Sequence, residues 1–188
     1  MTDINKILGI TESYRAPEAM WKILKSEQTV RDNKFSEFLE AFEYKVSKDW
    51  FHEWFQEDHA DRSVKKQDFT PISVGEILAN ITNNLQEKAY LKRYDVCSGT
   101  GGLTITKWNN DIITKGFMNY KPSQFLYVCE ELSERSLPFL LFNYLIRGMN
   151  GIIYHGDVLE KKYNAIYVIV NENDDALGFS GFVEIKNN

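Results

Sequence analysis

The segment DVCSGTGG, residues 95–102, constrains the fold more than any other stretch of the chain. A short strand-like run (94–97) leads into it, and a helix-patterned run starts at Leu103. Three glycines within four residues (Gly99, Gly101, Gly102) remove the Cβ atoms that would keep a ligand away from the backbone. A strand that ends in such a turn and continues as a helix is the building unit of a doubly wound sheet. The carboxyl end of that strand is where a cofactor approaches. The spacing excludes the two commonest versions of this unit. A Walker loop ends in Gly-Lys-Ser/Thr, whereas Gly102 is followed by Leu103. The dinucleotide fingerprint reads G-x-G-x-x-G, whereas this turn reads G-T-G-G. Asp95, just ahead of the turn, repels a pyrophosphate and suits a ligand that carries an ammonium group.

The pattern on either side extends the unit. Strand-like runs recur at 125–129, 152–154 and 165–170, the last continuous and apolar as in a central parallel strand. Between the first two of these, Ser133 opens a helix carrying Leu137, Leu140, Leu141, Tyr144 and Leu145, stopped by Gly148. Alternating strands and helices predict an α/β fold, a mostly parallel sheet with helices on both faces. A further strand at 179–185 returns after a loop. Upstream, Ser73 and Glu76 form a capping box for a helix with Val74, Ile77, Leu78, Ile81 and Leu85 on one face. Residues 1–66 read as an N-terminal helical segment, and 67–188 as the α/β domain. Asp32 and Asn33 are N-cap candidates ahead of Phe35, Phe38, Leu39 and Phe42, and the stripe resumes at Trp50, Phe51, Trp54 and Phe55. This stripe is expected to pack on the following domain. An exposed stripe would instead dock a protein partner or a second copy.

Charge and cysteine usage narrow the function classes. Twenty-two Lys+Arg against 27 Asp+Glu give a net charge of −5 over 188 residues. No global basic field attracts nucleic acid, so DNA is expected only where a partner supplies recognition. No apolar run of about 18 residues is present, so no membrane span is expected. The start lacks the basic-then-apolar pattern of a secretory leader, and the cytoplasm is the expected compartment. Cys97 and Cys129 lie in apolar, strand-like runs and read as reduced core residues. His52, His59 and His155 have no ligand spacing to them, so no metal is expected.

Three further features accompany the glycine turn in order. QDFTP, residues 67–71, precedes the capped helix. Glu130 ends the second strand, where an acid can accept both hydroxyls of a ribose. Gly156-Asp157 follows the third strand, where a carboxylate can reach an adenine edge. Singly they read as a turn, a helix-start acid and a surface loop; together they outline one crevice at the carboxyl ends of successive strands. In this order the chain resembles the adenine-N6 DNA methyltransferases, especially the methylation subunits of type I restriction–modification systems. That family reads FTP, D-P-x-x-G-S-G-G, an acid after the next strand, G-D, and then N-P-P-Y/F. The resemblance implies a Rossmann-like methyltransferase fold with S-adenosylmethionine in the crevice. By the same resemblance Phe69, Thr70 and Pro71 line the methionine end, and Asp95, Gly99, Gly101 and Gly102 hold the amino acid moiety. Glu130 then binds the ribose and Asp157 the adenine.

The departures are informative. Val96 stands where the family has proline. After AIYVIV comes NENDDALG instead of N-P-P-Y/F. In the family, the asparagine and a proline carbonyl accept hydrogen bonds from the target amine, and the aromatic ring stacks on the flipped base. Asn171 is the candidate catalytic residue, able to imitate one acceptor; the competing reading is a solvated loop joining two strands. The family's further strands and target-recognition region are also expected to be missing. The resulting expectation is an S-adenosylmethionine-binding, methyltransferase-like protein with lost or partner-dependent catalysis, from a restriction–modification system, a phage or another mobile element. An active adenine-N6 DNA methyltransferase and a non-catalytic interaction module with a vestigial crevice are the alternatives.

Overall fold

The computed structural model describes residues 4–52, 54, 70, 73–75, 77 and 91–186. Phe69, Pro71 and most of the capped helix, from Leu78 to Leu85, lie outside the described residues. Three helices open the chain: α1 (Ile4–Leu8), α2 (Ala16–Leu24) and α3 (Gln28–Ala41). Helix α2 carries Pro17 in its first turn, where the missing N–H has no intrahelical partner to lose. Helix α3 starts upstream of the expected caps. Asp32 and Asn33 lie inside it, and it begins without a side-chain cap.

The α/β part follows as β1 (Leu91–Val96), α4 (Gly102–Lys115), β2 (Phe125–Glu131), α5 (Leu137–Ile146), β3 (Gly151–Asp157), β4 (Lys162–Val170) and β5 (Gly181–Lys186). The strands form an open mixed sheet in the order β1-β2-β3-β4-β5, a methyltransferase-like α/β arrangement preceded by the helical segment. β1 pairs in parallel with β2, and β2 with β3, each crossover carrying a helix. Both helices reach the same face, because Thr104 of α4 and Tyr144 of α5 each contact the Cys129 Sγ, at 3.3 and 3.0 Å.

The fourth strand differs from expectation. β4 runs antiparallel to β3, and β5 antiparallel to β4. Residues 158–161 alone join β3 to β4, and a parallel return needs a crossover of about a dozen residues. The hairpin carries a bulge between His155 and Gly156. Gly156 is required there, since a Cβ would stand 2.1 Å from the Lys162 carbonyl oxygen. The apolar continuity of β4 therefore reflects its packing: Ala165, Tyr167 and Ile169 face the core, alternating with more exposed neighbours.

The centre of the molecule is α5, all ten residues of which are buried. A helix that is apolar all round is stable only with neighbours on every side. The sheet covers one side, through Tyr127, Cys129 and Ile153, and the N-terminal helices cover the other. The Phe142 ring meets Phe35, Phe38 and Phe51 at centroid distances of 5.0, 4.7 and 5.3 Å, all edge-on. Phe35, Phe38 and Phe51 of the N-terminal stripe thus face inward. Arg147 closes the carboxyl end of α5. Its Nε and Nη2 donate to the Val46 and Lys48 carbonyls, at 2.8 and 2.7 Å, and the guanidinium lies over Trp50. Loss of water draws its pKa down to about 10, with Asp49 opposing that shift. The opposite sheet face presents Tyr94, Val96, Val170 and Val183 to solvent. No described helix is long and apolar enough to cross a membrane.

Phe142→Ala removes the ring shared by three aromatic neighbours and should destabilise the chain by about 4 kcal/mol. Val183→Ala, on the exposed face, should change stability by less than about 0.5 kcal/mol. Urea denaturation of both variants checks the contrast; equal losses would contradict this account of the core.

Candidate functional site

The glycine turn is a run of left-handed residues. Cys97, Gly99 and Gly101 have φ of 57°, 58° and 94°. Cys97 belongs to this turn and is exposed, unlike Cys129, so the expectation of two core thiols holds for one. Burial pushes the Cys129 thiol up to about 12. At Gly101 a Cβ would combine left-handed strain with a 2.8 Å approach to Leu140 Cδ1 of α5. The turn closes on itself through the Gly101 N–H, which donates to the Ser98 carbonyl at 2.8 Å.

Asp95 sits beneath this turn on the helix side of the sheet. The Thr104 hydroxyl donates to its Oδ2 at 2.9 Å and also contacts Cys129, so the first turn of α4 aims the carboxylate. Burial raises the Asp95 pKa to about 6; the Thr104 hydrogen bond opposes the shift, and the Glu131 charge adds to it. Glu131 is the acid that touches the turn. It accepts the Gly99 N–H and the Ser133 N–H, each at 2.7 Å, tying the turn to the end of β2. Burial raises its pKa against those two bonds. Glu131 was not among the expected residues. The doublet Glu130-Glu131 carried the signal, since adjacent strand residues face opposite ways and one of the two must face the helices.

Glu130 lies opposite Val96 in the β1–β2 register and is buried. Its Oε2 accepts the Tyr163 hydroxyl at 2.5 Å and its Oε1 the Lys161 ammonium at 3.4 Å. Both partners come from the β3–β4 hairpin. The carboxylate in turn raises the Tyr163 pKa by holding its proton. Asp157 ends β3, and its Oδ1 accepts the Leu159 and Glu160 N–H groups at 2.8 and 3.1 Å, capping the same hairpin. Thr70 and Gly102 line one cavity of about 30 Å³. Asp49, His52 and Thr106 border it as well.

The carboxyl ends of β1, β2 and β3 carry Asp95, Gly99, Gly101, Gly102, Glu130 and Asp157, with Thr70 beside Gly102, but Asp95 faces the helices whereas Glu130 shares the other face of the sheet with Val96. They do not carry Asn171. Because β4 is antiparallel, its carboxyl end lies with the amino ends of the parallel strands. There the Asn171 side-chain amide is shared among the Gly148, Asp175 and Gly178 carbonyls, at 3.1, 2.7 and 3.2 Å. Its backbone N–H donates to Asn150 Oδ1 at 2.6 Å. Asn171 is a buried staple of the β4–β5 loop. The placement corrects its expected position at the crevice. What the crevice residues can do is bind: one carboxylate suits a cation beside an accessible backbone, and a second suits a pair of hydroxyls.

Residues 46–175 match the family model described as N-6 DNA Methylase. Among solved structures, the chain is similar to one described as a class I S-adenosylmethionine-dependent methyltransferase from Listeria monocytogenes. The identity is 17% and the TM-score 0.44, over 82% of this chain and 49% of that one. This chain thus spans about half the length of that relative. No curated protein matches.

The Asp95 pKa makes a stability prediction. A carboxyl whose folded pKa of about 6 exceeds the ordinary value of 3.8 binds more protons in the folded state. Its contribution is therefore lost as pH rises from about 4 to about 6 and stays lost above. Asp95→Asn should stabilise the protein at pH 7.5 by on the order of 2 kcal/mol and change it little near pH 4. Urea denaturation at both pH values checks this; an equal gain at both would contradict it.

Proposed function

Because the chain belongs to the N-6 DNA methylase family, we propose that it binds S-adenosylmethionine at the carboxyl ends of β1–β3 without itself orienting a target adenine. The observation that carries this reading is Asp95, half-buried beneath a left-handed glycine turn and aimed by Thr104. The donor set fits the cofactor. Its amino group suits Asp95, its ribose suits Glu130, and it has no phosphate for Asp95 to repel. When bound, the cofactor supplies an electrophilic methyl group. A nearby cation draws the Asp95 pKa below about 6, so the carboxylate is ionised when it pairs. Gly99 and Gly101 supply the left-handed φ that shapes the turn, and the missing Cβ of Gly101 makes room for Leu140 of α5. Glu130 takes the hydroxyls by exchanging Tyr163 and Lys161, whose side chain is 63% exposed and free to swing. Asp157 marks the adenine side.

The remote, buried position of Asn171 supports lost or partner-dependent catalysis. The net charge of −5 supports the same division, with DNA recognition coming from a partner, as in a restriction–modification system. The cytoplasm is the compartment that goes with this reading. One observation favours a second reading, an interaction module with a vestigial crevice: both Glu130 oxygens already have partners.

Calorimetric titration of the chain with S-adenosylmethionine separates the readings. Saturable one-to-one binding is expected. Asp95→Ala should weaken it by about tenfold or more, and Tyr163→Phe, which frees one Glu130 oxygen, should tighten it about threefold. Labelled methyl transfer to unmethylated DNA should stay at background. A folded protein that takes up no cofactor at high micromolar concentration would hand the case to the vestigial module. Transfer that disappears in Asn171→Ala would restore the active enzyme.

A further inference from the structure

The glycine turn is held from behind by a residue of the N-terminal segment. The Thr100 hydroxyl, fully buried in the middle of the turn, donates to Asp49 Oδ2 at 2.5 Å. Asn143 of α5 donates through Nδ2 to Asp49 Oδ1 at 3.0 Å and to the Thr100 carbonyl at 2.7 Å. The Phe51 N–H donates to the same Oδ1 at 3.0 Å. Arg147 then fixes the Asn143 amide, donating to its Oδ1 at 2.7 Å. The carboxylate also lies against the start of α4, since a Cβ on Gly102 would be 3.8 Å from Asp49 Oδ2. That end of the helix favours negative charge.

We propose that Asp49 is a positioning residue for the cofactor crevice, fixing the glycine turn through Thr100 and Asn143. The proposal rests on the cofactor reading above. Three left-handed residues in five, two of them glycines, leave the turn many alternative conformations in isolation. Glu131 holds Gly99 from the strand side. Asp49 is the matching restraint at the next residue, from the helical side. With both in place the turn presents one backbone shape to a ligand, and little of the binding energy is spent on ordering it. The segment that follows the N-terminal helices is, on this account, part of the site.

The test uses the whole chain and two variants that break the same contact, Asp49→Ala and Thr100→Val. Amide hydrogen exchange at residues 99–103 without ligand should quicken about tenfold or more in each. S-adenosylmethionine affinity should fall about tenfold in each, and the double variant should be little worse than either single. Met20→Ala in α2, a core truncation, is the control for destabilisation alone. It should lower the melting temperature without changing affinity. Asp49→Asn, which keeps one acceptor, should recover part of the affinity. If the wild-type chain takes up no cofactor, the reading beneath falls and the proposal with it. If the wild type binds and Asp49→Ala binds as well, or loses no more affinity than Met20→Ala, the proposal alone is overturned.

Discussion

Burial of helix α5 on every side is the constraint from which the rest of the molecule follows. A ten-residue helix with no polar face has to be enclosed, and the five-stranded sheet supplies only one wall. Helix α3 and the segment after it supply the other, through Phe35, Phe38 and Phe51, so the N-terminal part and the sheet share one core. The polar groups of α5 are then decisive. Asn143 and Arg147, buried with it, find partners in residues 46–49 and in the glycine turn. The enclosure of an apolar helix thereby puts a charged, hydrogen-bonded chain of residues behind the crevice.

Local order was the part of this architecture that the sequence carried. The order β1, glycine turn, α4, β2, α5, β3 follows from hydrophobic period and glycine punctuation, although β1 begins earlier than expected, at Leu91, and α5 later, at Leu137 instead of Ser133. Asp95, Glu130 and Asp157 follow as well, because strand ends in a parallel unit have a fixed orientation. What stayed hidden depends on distant pairs. Asp49 reads as one more acid beside an aromatic run, and its partners Thr100 and Asn143 lie 51 and 94 residues away. Glu131 is the nearer miss. Strand alternation alone assigns it to the helix side, where the Gly99 N–H waits.

The crevice is an arrangement of opposed demands. Partial burial of Asp95 raises its pKa to about 6, at a cost to the fold at neutral pH. Thr104, which aims it, also contacts the buried Cys129, so the carboxylate is tied to the core side of β2. Glu130 has the reverse character. It is as buried as Asp95 is aimed, yet its partners are a tyrosine and an exposed lysine from a surface hairpin, which a ligand can replace.

The length of the β3–β4 connection accounts for both departures from a methylating crevice. Residues 158–161 are too few for a crossover, so β4 must turn back along β3. Reversal carries its carboxyl end, and Asn171 with it, to the far end of the sheet. There the asparagine is absorbed into the loop that starts β5. Reversal also brings the first residues of β4 to the carboxyl end of β2, where Tyr163 and Lys161 reach Glu130. A single short connection thus takes Asn171 away from the carboxyl ends of β1–β3 and places Tyr163 and Lys161 on Glu130. A parallel fourth strand would do neither, since it would need a connection long enough to clear the sheet and would begin at the opposite end.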